Sequence, residues 1–183
     1  HGDVLKRILN ERGAGTDGLI AAAGISTAVK TRILAGELNA QKQQVARIDR
    51  SYKVDAELPE LAECGKRAGS MVDSCDAVIV SDYGMGVVPG PLSELVITAA
   101  RKRKIPVIVD SRFLLTEFHG ATVGTPNETE LFHAMKATSE DKSNLEALAK
   151  RALAEADIWG LMITRGSRGM LVCDKDTGVG RIG

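Results

Sequence analysis

The first fifty residues show two different hydrophobic periods. Apolar residues near the start recur at the spacing of one helix face, with Asp3 placed as an N-cap and Gly13 as a C-cap: Val4, Leu5, Ile8 and Leu9. Further on, Val29, Thr31 and Ile33 alternate with polar residues as in a strand, and strand character returns over residues 45–48. The pattern predicts a helix and then a hairpin-like pair of strands, joined by a polar connection over residues 36–43.

The predicted hairpin carries more polar and basic side chains than a core strand does. These side chains are Lys30, Arg32, Lys42, Gln43, Gln44 and Arg47. Burying them in an α/β core would cost the solvation of each polar group. We therefore expect residues 27–49 to lie outside the main sheet, and we expect the apolar positions Val29, Ile33, Val45 and Ile48 to need a cover.

From residue 57 onward, helical periodicity alternates with short apolar runs. Five runs predict strands: "AVIVSD", "PVIVD", "ATVGTPN", "WGLMITRG" and "GMLVCD". A helical segment separates the first run from the second, and two helical segments separate the third from the fourth; Ser143 with Glu146 is spaced as a capping box for the last helix. Strands separated by helices pair in parallel through right-handed crossovers, so the fold class is α/β with a mostly parallel sheet over residues 57–183.

Composition and charge give no support to a nucleic-acid-binding, zinc-binding or membrane-spanning protein. The chain has 183 residues, with 24 basic and 24 acidic side chains, so no net charge favours nucleic acid or an anionic membrane. Cys64, Cys75 and Cys173 lack zinc-site spacing and are odd in number, which predicts a reducing, cytoplasmic setting. No apolar run is long enough to span a membrane, and no signal peptide opens the chain. Both ends look cut, so residues 1–183 are expected to be one partial domain.

A glycine motif near the start matches the spacing of a dinucleotide-binding turn. The motif G-x-G-x-x-G runs over Gly13, Gly15 and Gly18. A dinucleotide turn needs a strand before the first glycine and a helix after the last. Here a helix precedes Gly13, and strand-like sequence follows Gly18. The motif is therefore interpreted as a helix end, and a nucleotide must bind elsewhere.

Polar residues follow the predicted strands at the points where the strands end. They are Asp82, Asp110, Asn127 with Glu130, and Thr164 with Gly166. Ligands of open α/β sheets bind beyond the carboxyl ends of the strands, so these residues are expected to meet at one edge. Two carboxylates and an amide beside a Thr-Gly turn with Arg165 and Arg168 suit a magnesium-nucleotide site. No G-x-x-x-x-G-K loop is present, so a P-loop enzyme is not expected.

Each of these residues also has a structural interpretation. Asp82 can open a glycine turn, and Asp110 can cap a loop. Asn127 and Glu130 can form an N-cap pair, and residues 164–169 can form a hairpin turn. Only the joint occurrence at four strand ends favours a binding site over these local roles.

Five stretches together resemble the ribokinase/PfkB family of carbohydrate kinases. They are "KTRILAGELNAQKQQVARIDR", "VSDYGMGVV", "VIVDSR", "GATVGTPNETEL" and "ITRGSRGM". The N-x-x-E and T-x-G elements carry the family resemblance, which runs from near residue 2 to residue 174. The first of these stretches, residues 30–50, and the D-Y-G segment, residues 82–84, are most similar to the heptose-7-phosphate kinase branch of ADP-heptose synthesis.

The resemblance implies a three-layer α/β/α domain with a small β lid over residues 27–49, and ATP-dependent phosphorylation of a sugar hydroxyl. ATP and Mg²⁺ are the implied cofactors, and a homodimer through the lid is an implied assembly. Together with the polar residues at the strand ends, the resemblance implies three sets of site residues. The nucleotide is expected to bind at Asn127, Glu130, Thr164, Gly166 and Arg112, and the metal at Glu130 and Asp110. The substrate and lid residues are expected to be Lys30, Arg32, Gln44, Arg47 and Asp82.

The chain also departs from the family pattern. The G-A-G-D segment that supplies the general base and an anion hole is expected beyond Gly183, so the chain alone is expected to be inactive. The branch usually has lysine at the position of Met85, and D-P-K where this chain has Asp110-Ser111-Arg112. Arg112 keeps a positive charge, whereas Met85 cannot replace an ammonium group. A diverged, non-catalytic module that binds a ligand or partner is the alternative hypothesis.

Overall fold

The computed structural model describes residues 1–36, 42–88 and 90–183. The chain divides into two compact units, residues 1–54 and 55–183. The polar connection predicted at 36–43 lies largely outside the described residues. No helix among the described residues is long and apolar enough to cross a membrane.

The first unit contains one helix and one hairpin. Helix α1 spans Gly2–Glu11, and strands β1 (Val29–Ala35) and β2 (Gln43–Arg50) pair antiparallel in a sheet of their own. The predicted separation of this hairpin from the main sheet is therefore confirmed. The predicted N-cap is wrong: Asp3 lies in the first turn and His1 occupies the cap position without a side-chain hydrogen bond. Gly13 follows the helix end with φ of 74°, and no helix starts at Gly18.

The second unit alternates helices and strands along the chain. Its elements are α2 (Pro59–Met71), β3 (Val78–Asp82), α3 (Pro91–Arg103), β4 (Val107–Ser111), β5 (Val123–Gly124), α4 (Glu128–Ala134), α5 (Ser139–Ser143), α6 (Leu145–Ala156), β6 (Gly160–Thr164), β7 (Met170–Asp174) and β8 (Gly178–Ile182). The strands lie in the order β3-β4-β5-β6-β7-β8. Pairing is parallel from β3 to β6 and antiparallel from β6 to β8, so the predicted α/β class with a mostly parallel sheet is confirmed.

One local prediction in this unit is wrong, and one strand was missed. Ser143 is the last residue of α5, and the cap of α6 is Asn144, whose side-chain oxygen accepts a hydrogen bond from the N–H of Ala147 at 3.1 Å. Asparagine is as good an N-cap as serine, and the short α5 helix already uses Ser143. Strand β8 was not predicted, because its sequence, Gly178–Ile182, is short and rich in glycine.

The hydrophobic core lies between one face of the sheet and the helices. The strands contribute alternating buried residues, and α3, α4 and α6 contribute their apolar faces: Val80, Val107, Val109, Leu161, Ile163 and Leu171 from the sheet, and Val96, Ile97, Leu131, Leu148 and Leu153 from the helices. The alternate positions are open, with Ile79 76% exposed and Met162 38% exposed.

Candidate functional site

The predicted polar residues of the second unit lie along one edge of the sheet, where the parallel strands end. Asp82 and Asp110 stand at the ends of the neighbouring strands β3 and β4. Thr125 follows β5, and its N–H donates to the carbonyl of Val109 at 2.9 Å. Thr164 ends β6 and forms an isolated parallel bridge with Asn127. The predicted convergence at one edge is therefore present in the structure.

Asp82 is buried and ties two strand ends together. Its Oδ1 accepts a hydrogen bond from the N–H of Gly84 at 2.9 Å, and its Oδ2 accepts one from the Ser111 hydroxyl at 2.8 Å. Ser111 is also buried, and its Oγ accepts the N–H of Leu114 at 3.1 Å. The turn role of Asp82 is thus observed, and its substrate role stays a prediction.

Asp110 and Arg112 flank Ser111 and point to solvent. Asp110 is exposed, and its described contact is a 3.4 Å hydrogen bond from the hydroxyl of Thr125. The guanidinium of Arg112 lies 5.9 Å from the centre of the Tyr83 ring. Both charged groups are therefore accessible to a ligand at this edge.

Asn127 and Glu130 form a reciprocal capping box at the start of α4. The side-chain oxygen of Asn127 accepts the N–H of Glu130 at 2.8 Å, and Oε2 of Glu130 accepts the N–H of Asn127 at 3.0 Å. Within the described chain, Oε1 of Glu130 has no hydrogen-bond partner. The structural role is therefore real, and it leaves one carboxylate oxygen available to a metal-bound water.

The turn after Thr164 is both a hairpin turn and an edge of the site. The N–H of Thr164 donates to the carbonyl of Pro126 at 3.0 Å, which joins β6 to the residues before the capping box. Gly166 has a φ of 61° and opens a 3₁₀ turn over Gly166–Arg168. A Cβ on Gly166 would meet open space, so a ligand can approach the backbone of Gly166 closely.

Sequence reasoning did not identify Glu128 as part of this region. Its carboxylate accepts a hydrogen bond from Nε of Arg165 at 2.9 Å and forms a second ion pair with Arg168. Glu128 is 17% exposed, so this double ion pair is partly shielded from water and fixes the Thr164–Gly169 turn against the start of α4. Residues about forty positions apart make this contact, and no local sequence signal reports it.

The hairpin of the first unit gathers its predicted residues on one face. The strand register places Lys30 opposite Asp49, Arg32 opposite Arg47, and Leu34 opposite Gln44. Since side chains alternate between faces, Lys30, Arg32 and Arg47 share one face, and Val29, Ile33 and Ile48 lie on the other. The register shifts between Ile33 and Leu34, and this shift places Gln44 opposite Leu34, on the face of Arg32. Asp49 pairs with Arg47 at 2.9 Å and with Lys30 at 3.7 Å. Among the described residues of the hairpin, the polar face therefore carries three cationic groups and one carboxylate.

No preformed metal cage is found among the described residues, where no group of three or more histidine, cysteine, aspartate or glutamate side chains converges. Mg²⁺ commonly keeps several waters and binds one or two protein carboxylates together with substrate phosphates. The exposed carboxylate of Asp110 and the unpaired Oε1 of Glu130 fit that mode of binding. They do not fit a site that holds the ion by protein ligands alone.

The polar residues at the strand ends and the alternation of helices with strands agree with the family to which a comparison with known proteins assigns the chain. The model of the pfkB family of carbohydrate kinases matches residues 1–182, and the chain belongs to that family. A bifunctional protein HldE from Geobacter metallireducens is 34% identical over 187 aligned positions, covering 98% of this chain and 36% of the relative. One from Gluconacetobacter diazotrophicus is 30% identical, covering 97% of this chain and 36% of the relative. The chain thus spans about a third of the length of these relatives.

Solved structures support the same fold. Ribokinase from Giardia lamblia superposes with a TM-score of 0.66 at 12% identity, covering 100% of this chain and 55% of the other. Phosphofructokinase-2 from Escherichia coli, in complex with potassium, superposes with a TM-score of 0.64 at 18% identity, covering 99% and 57%. The ribokinase-like α/β fold is therefore confirmed.

Proposed function

We propose that this chain is the central part of an ATP-dependent sugar kinase that transfers the γ-phosphate to a hydroxyl of a sugar or sugar phosphate. The observation that carries the proposal is the arrangement of the Asn127–Glu130 box beside the Thr164–Gly166 turn, at the carboxyl edge of the parallel strands. Membership in a carbohydrate kinase family supports it.

In this proposal, Thr164 and the backbone of Gly166 line the nucleotide, and Arg112 neutralises phosphate charge. Glu130 and Asp110 hold Mg²⁺, Glu130 acting through water from its unpaired oxygen. Bound Mg²⁺ would neutralise charge on the transferred phosphoryl group. The general base and anion hole lie outside residues 1–183, so the chain alone has no turnover.

The polar face of the hairpin favours a phosphorylated sugar as the acceptor. Lys30, Arg32 and Arg47 share that face with a single carboxylate, and Arg32 lies directly opposite Arg47. Like charges directly opposite each other are destabilising, and an anionic ligand would relieve them. Heptose-7-phosphate, in ADP-heptose synthesis, is the acceptor that the sequence resemblance favours.

The first test is an ATP-consumption assay of the complete protein that carries this sequence, with heptose-7-phosphate and with ribose, next to the same assay on residues 1–183. We expect turnover of about 1 per second or faster from the complete protein and none from the chain alone. Turnover by the chain alone would refute the placement of the catalytic base. No turnover by the complete protein, with nucleotide binding retained, would favour the non-catalytic module.

The second test separates the metal role of Glu130 from its cap. Glu130→Gln keeps a side-chain oxygen that can accept the N–H of Asn127, because glutamine also serves in capping boxes. We expect near-unchanged thermal stability in the complete protein, a much lower kcat and a raised Mg²⁺ requirement. Normal activity with normal Mg²⁺ dependence would reduce Glu130 to a helix cap.

A homodimer through the hairpin is the proposed assembly. Ile33 and Ile48, on the apolar face, are 46% and 50% exposed. A second copy would cover that face and recover about 25 cal/mol for each Å² of apolar surface buried. Sedimentation velocity should show a dimer that Ile48→Glu dissociates, whereas Gln44→Glu, which adds the same charge to the polar face, leaves it intact. A monomeric parent chain would refute this assembly.

A further inference from the structure

A basic cavity of about 450 Å³ lies in the second unit, beside the Thr164–Gly169 turn. Its walls come from the first residue of α4, the end of α5, the start of α6, the turn between β6 and β7, and strands β7 and β8. The charged side chains that line it are Lys142, Arg165, Arg168, Arg181, Glu128 and Glu146. Four cations and two carboxylates give the lining a net charge of +2, although the whole chain has none.

Each of the three arginines uses only one of its nitrogen atoms in its described contact with a carboxylate and keeps its other N–H donors for a ligand. Arg165 uses Nε toward Glu128, Arg168 uses one terminal nitrogen toward the same carboxylate, and Arg181 uses one toward Glu146 at 2.6 Å. A guanidinium carries five N–H groups in a planar fork, which matches the oxygens of a phosphate group. Each arginine can therefore bind an anion without losing its described partner.

Lys142 adds a cation with no carboxylate partner among the described residues. Its Nζ lies 5.8 Å from the centre of the Phe132 ring, and its side chain is exposed. The first turn of the twelve-residue helix α6 also borders the cavity, and its N–H groups favour a negative charge. The cavity therefore offers donors from four side chains and a helix end.

We propose that this cavity is an anion site that takes the phosphate group of a small phosphorylated molecule. Among the described residues, Asn127, Glu130, Thr164 and Gly166 do not line it, so the cavity is distinct from the predicted nucleotide site at the strand ends. The two adjoin at the Thr164–Gly169 turn, whose Arg165 and Arg168 line the cavity. The site does not depend on the kinase function, because its evidence is the composition and charge of its own walls.

The test is calorimetric titration of residues 1–183 with inorganic phosphate at constant ionic strength. The double variant Lys142→Gln/Arg181→Gln removes two cations whose side chains are exposed and leaves the Thr164–Gly169 turn unaltered. We expect phosphate binding to weaken about tenfold or more for each cation removed, because hydrogen bonds to charged groups are the strong ones. The control Lys66→Gln/Lys102→Gln removes the same charge at exposed positions outside the cavity and should bind as the parent chain does.

A third variant should change the affinity for phosphate in the opposite direction. Glu146→Gln removes a negative charge from the cavity and releases Arg181, so phosphate should bind more tightly. Unfolding cannot imitate a gain in affinity. No phosphate binding by the parent chain, equal weakening in the control, or no gain from Glu146→Gln would each overturn the proposal.

Two further titrations identify the source of the phosphate group. If the double variant loses affinity for ATP but not for ribose 5-phosphate, the site binds nucleotide phosphates. If it loses affinity for ribose 5-phosphate but not for ATP, the site binds a phosphorylated sugar. If neither affinity changes while both ligands bind the parent chain, the cavity is not a phosphate site. None of these measurements requires turnover, so they are independent of the kinase assay.

Discussion

The hairpin of the first unit and the sheet of the second unit are both built from strands that contain β-branched apolar residues, but they reach opposite levels of burial. Every residue of β2 is exposed, and only Val29 of β1 is half-buried. In β4, Val107, Val109 and Ser111 are buried, and Ile108 is half-buried. The hairpin strands alternate apolar and polar positions, whereas β4 begins with three consecutive apolar residues, and in the second unit helices pack on the apolar face of the sheet. The difference shows that strand periodicity sets which residues share a face, whereas packing partners decide whether that face is buried.

The largest test of this contrast uses one substitution at matched positions. Ile163 is 0% exposed in β6, and Ile33 is 46% exposed in β1. Ile163→Ala should lower the free energy of unfolding by about 2–5 kcal/mol, because it leaves a cavity in a close-packed core. Ile33→Ala should change it by less than about 0.5 kcal/mol when the chain is kept monomeric by dilution, because Ile33 is then exposed. Urea unfolding followed by circular dichroism measures both, and equal losses would break the contrast.

A second test compares two glycines with nearly the same φ. Gly169 in the second unit has a φ of 74°, and Gly24 in the first has a φ of 77°. A Cβ on Gly169 would lie 2.0 Å from the carbonyl oxygen of Ile182, whereas one on Gly24 would meet nothing within 4 Å. Gly24→Ala should therefore cost only the left-handed penalty of about 1 kcal/mol, and Gly169→Ala about 2–3 kcal/mol. Equal losses of stability would show that the backbone of Ile182, in β8, can move away from a methyl group on residue 169 at no cost in free energy.

A third test compares two carboxylates that each pair with two cations. Glu128 is 17% exposed and pairs with Arg165 and Arg168, whereas Asp49 is 34% exposed and pairs with Lys30 and Arg47. Glu128→Gln should lower the unfolding free energy by about 1 kcal/mol, and Asp49→Asn by less than about 0.5 kcal/mol, because solvent screens the more exposed pair. Thermal unfolding at low and high salt measures this, and the Glu128 effect should fall less with salt. The reverse order would place the better-shielded pair in the hairpin.

The smallest expected effect is a pH dependence of the second unit. Hydrogen bonds lower the pKa of Asp141, Asp157 and Asp174, given mainly by the N–H of Thr138, the ammonium of Lys175 and the hydroxyl of Thr177 respectively. A lowered pKa means that their stabilisation is complete above the ordinary value of 3.8 and is lost as pH falls through the folded value. The melting temperature should therefore fall gradually below about pH 4.

Asp141→Asn should flatten part of that pH dependence, because asparagine does not titrate. The exposed residue Asp76 offers a control, and Asp76→Asn should leave the profile as it is in the parent chain. A profile that is identical in all three proteins would show that the Thr138 and Arg151 contacts of Asp141 do not stabilise the fold.

The sequence alone determined the order and type of most elements, because helices and buried strands have different hydrophobic periods. It also placed Asp82, Asp110, Asn127 and Thr164 at strand ends, and parallel pairing brings strand ends to one edge. Boundaries and caps were less determined: Asn144 rather than Ser143 caps α6, since both residues suit the role and the neighbouring α5 helix decides between them.

Only the tertiary structure decided the contacts between distant segments. Asp82 meets Ser111 across two strand ends, and Glu128 meets Arg165 and Arg168 across about forty residues. The basic cavity likewise joins α6, the β6–β7 turn and β8. Local periodicity fixes which face a side chain takes. It carries no information about which charged group from another segment will stand opposite, because that depends on how the helices and strands pack together.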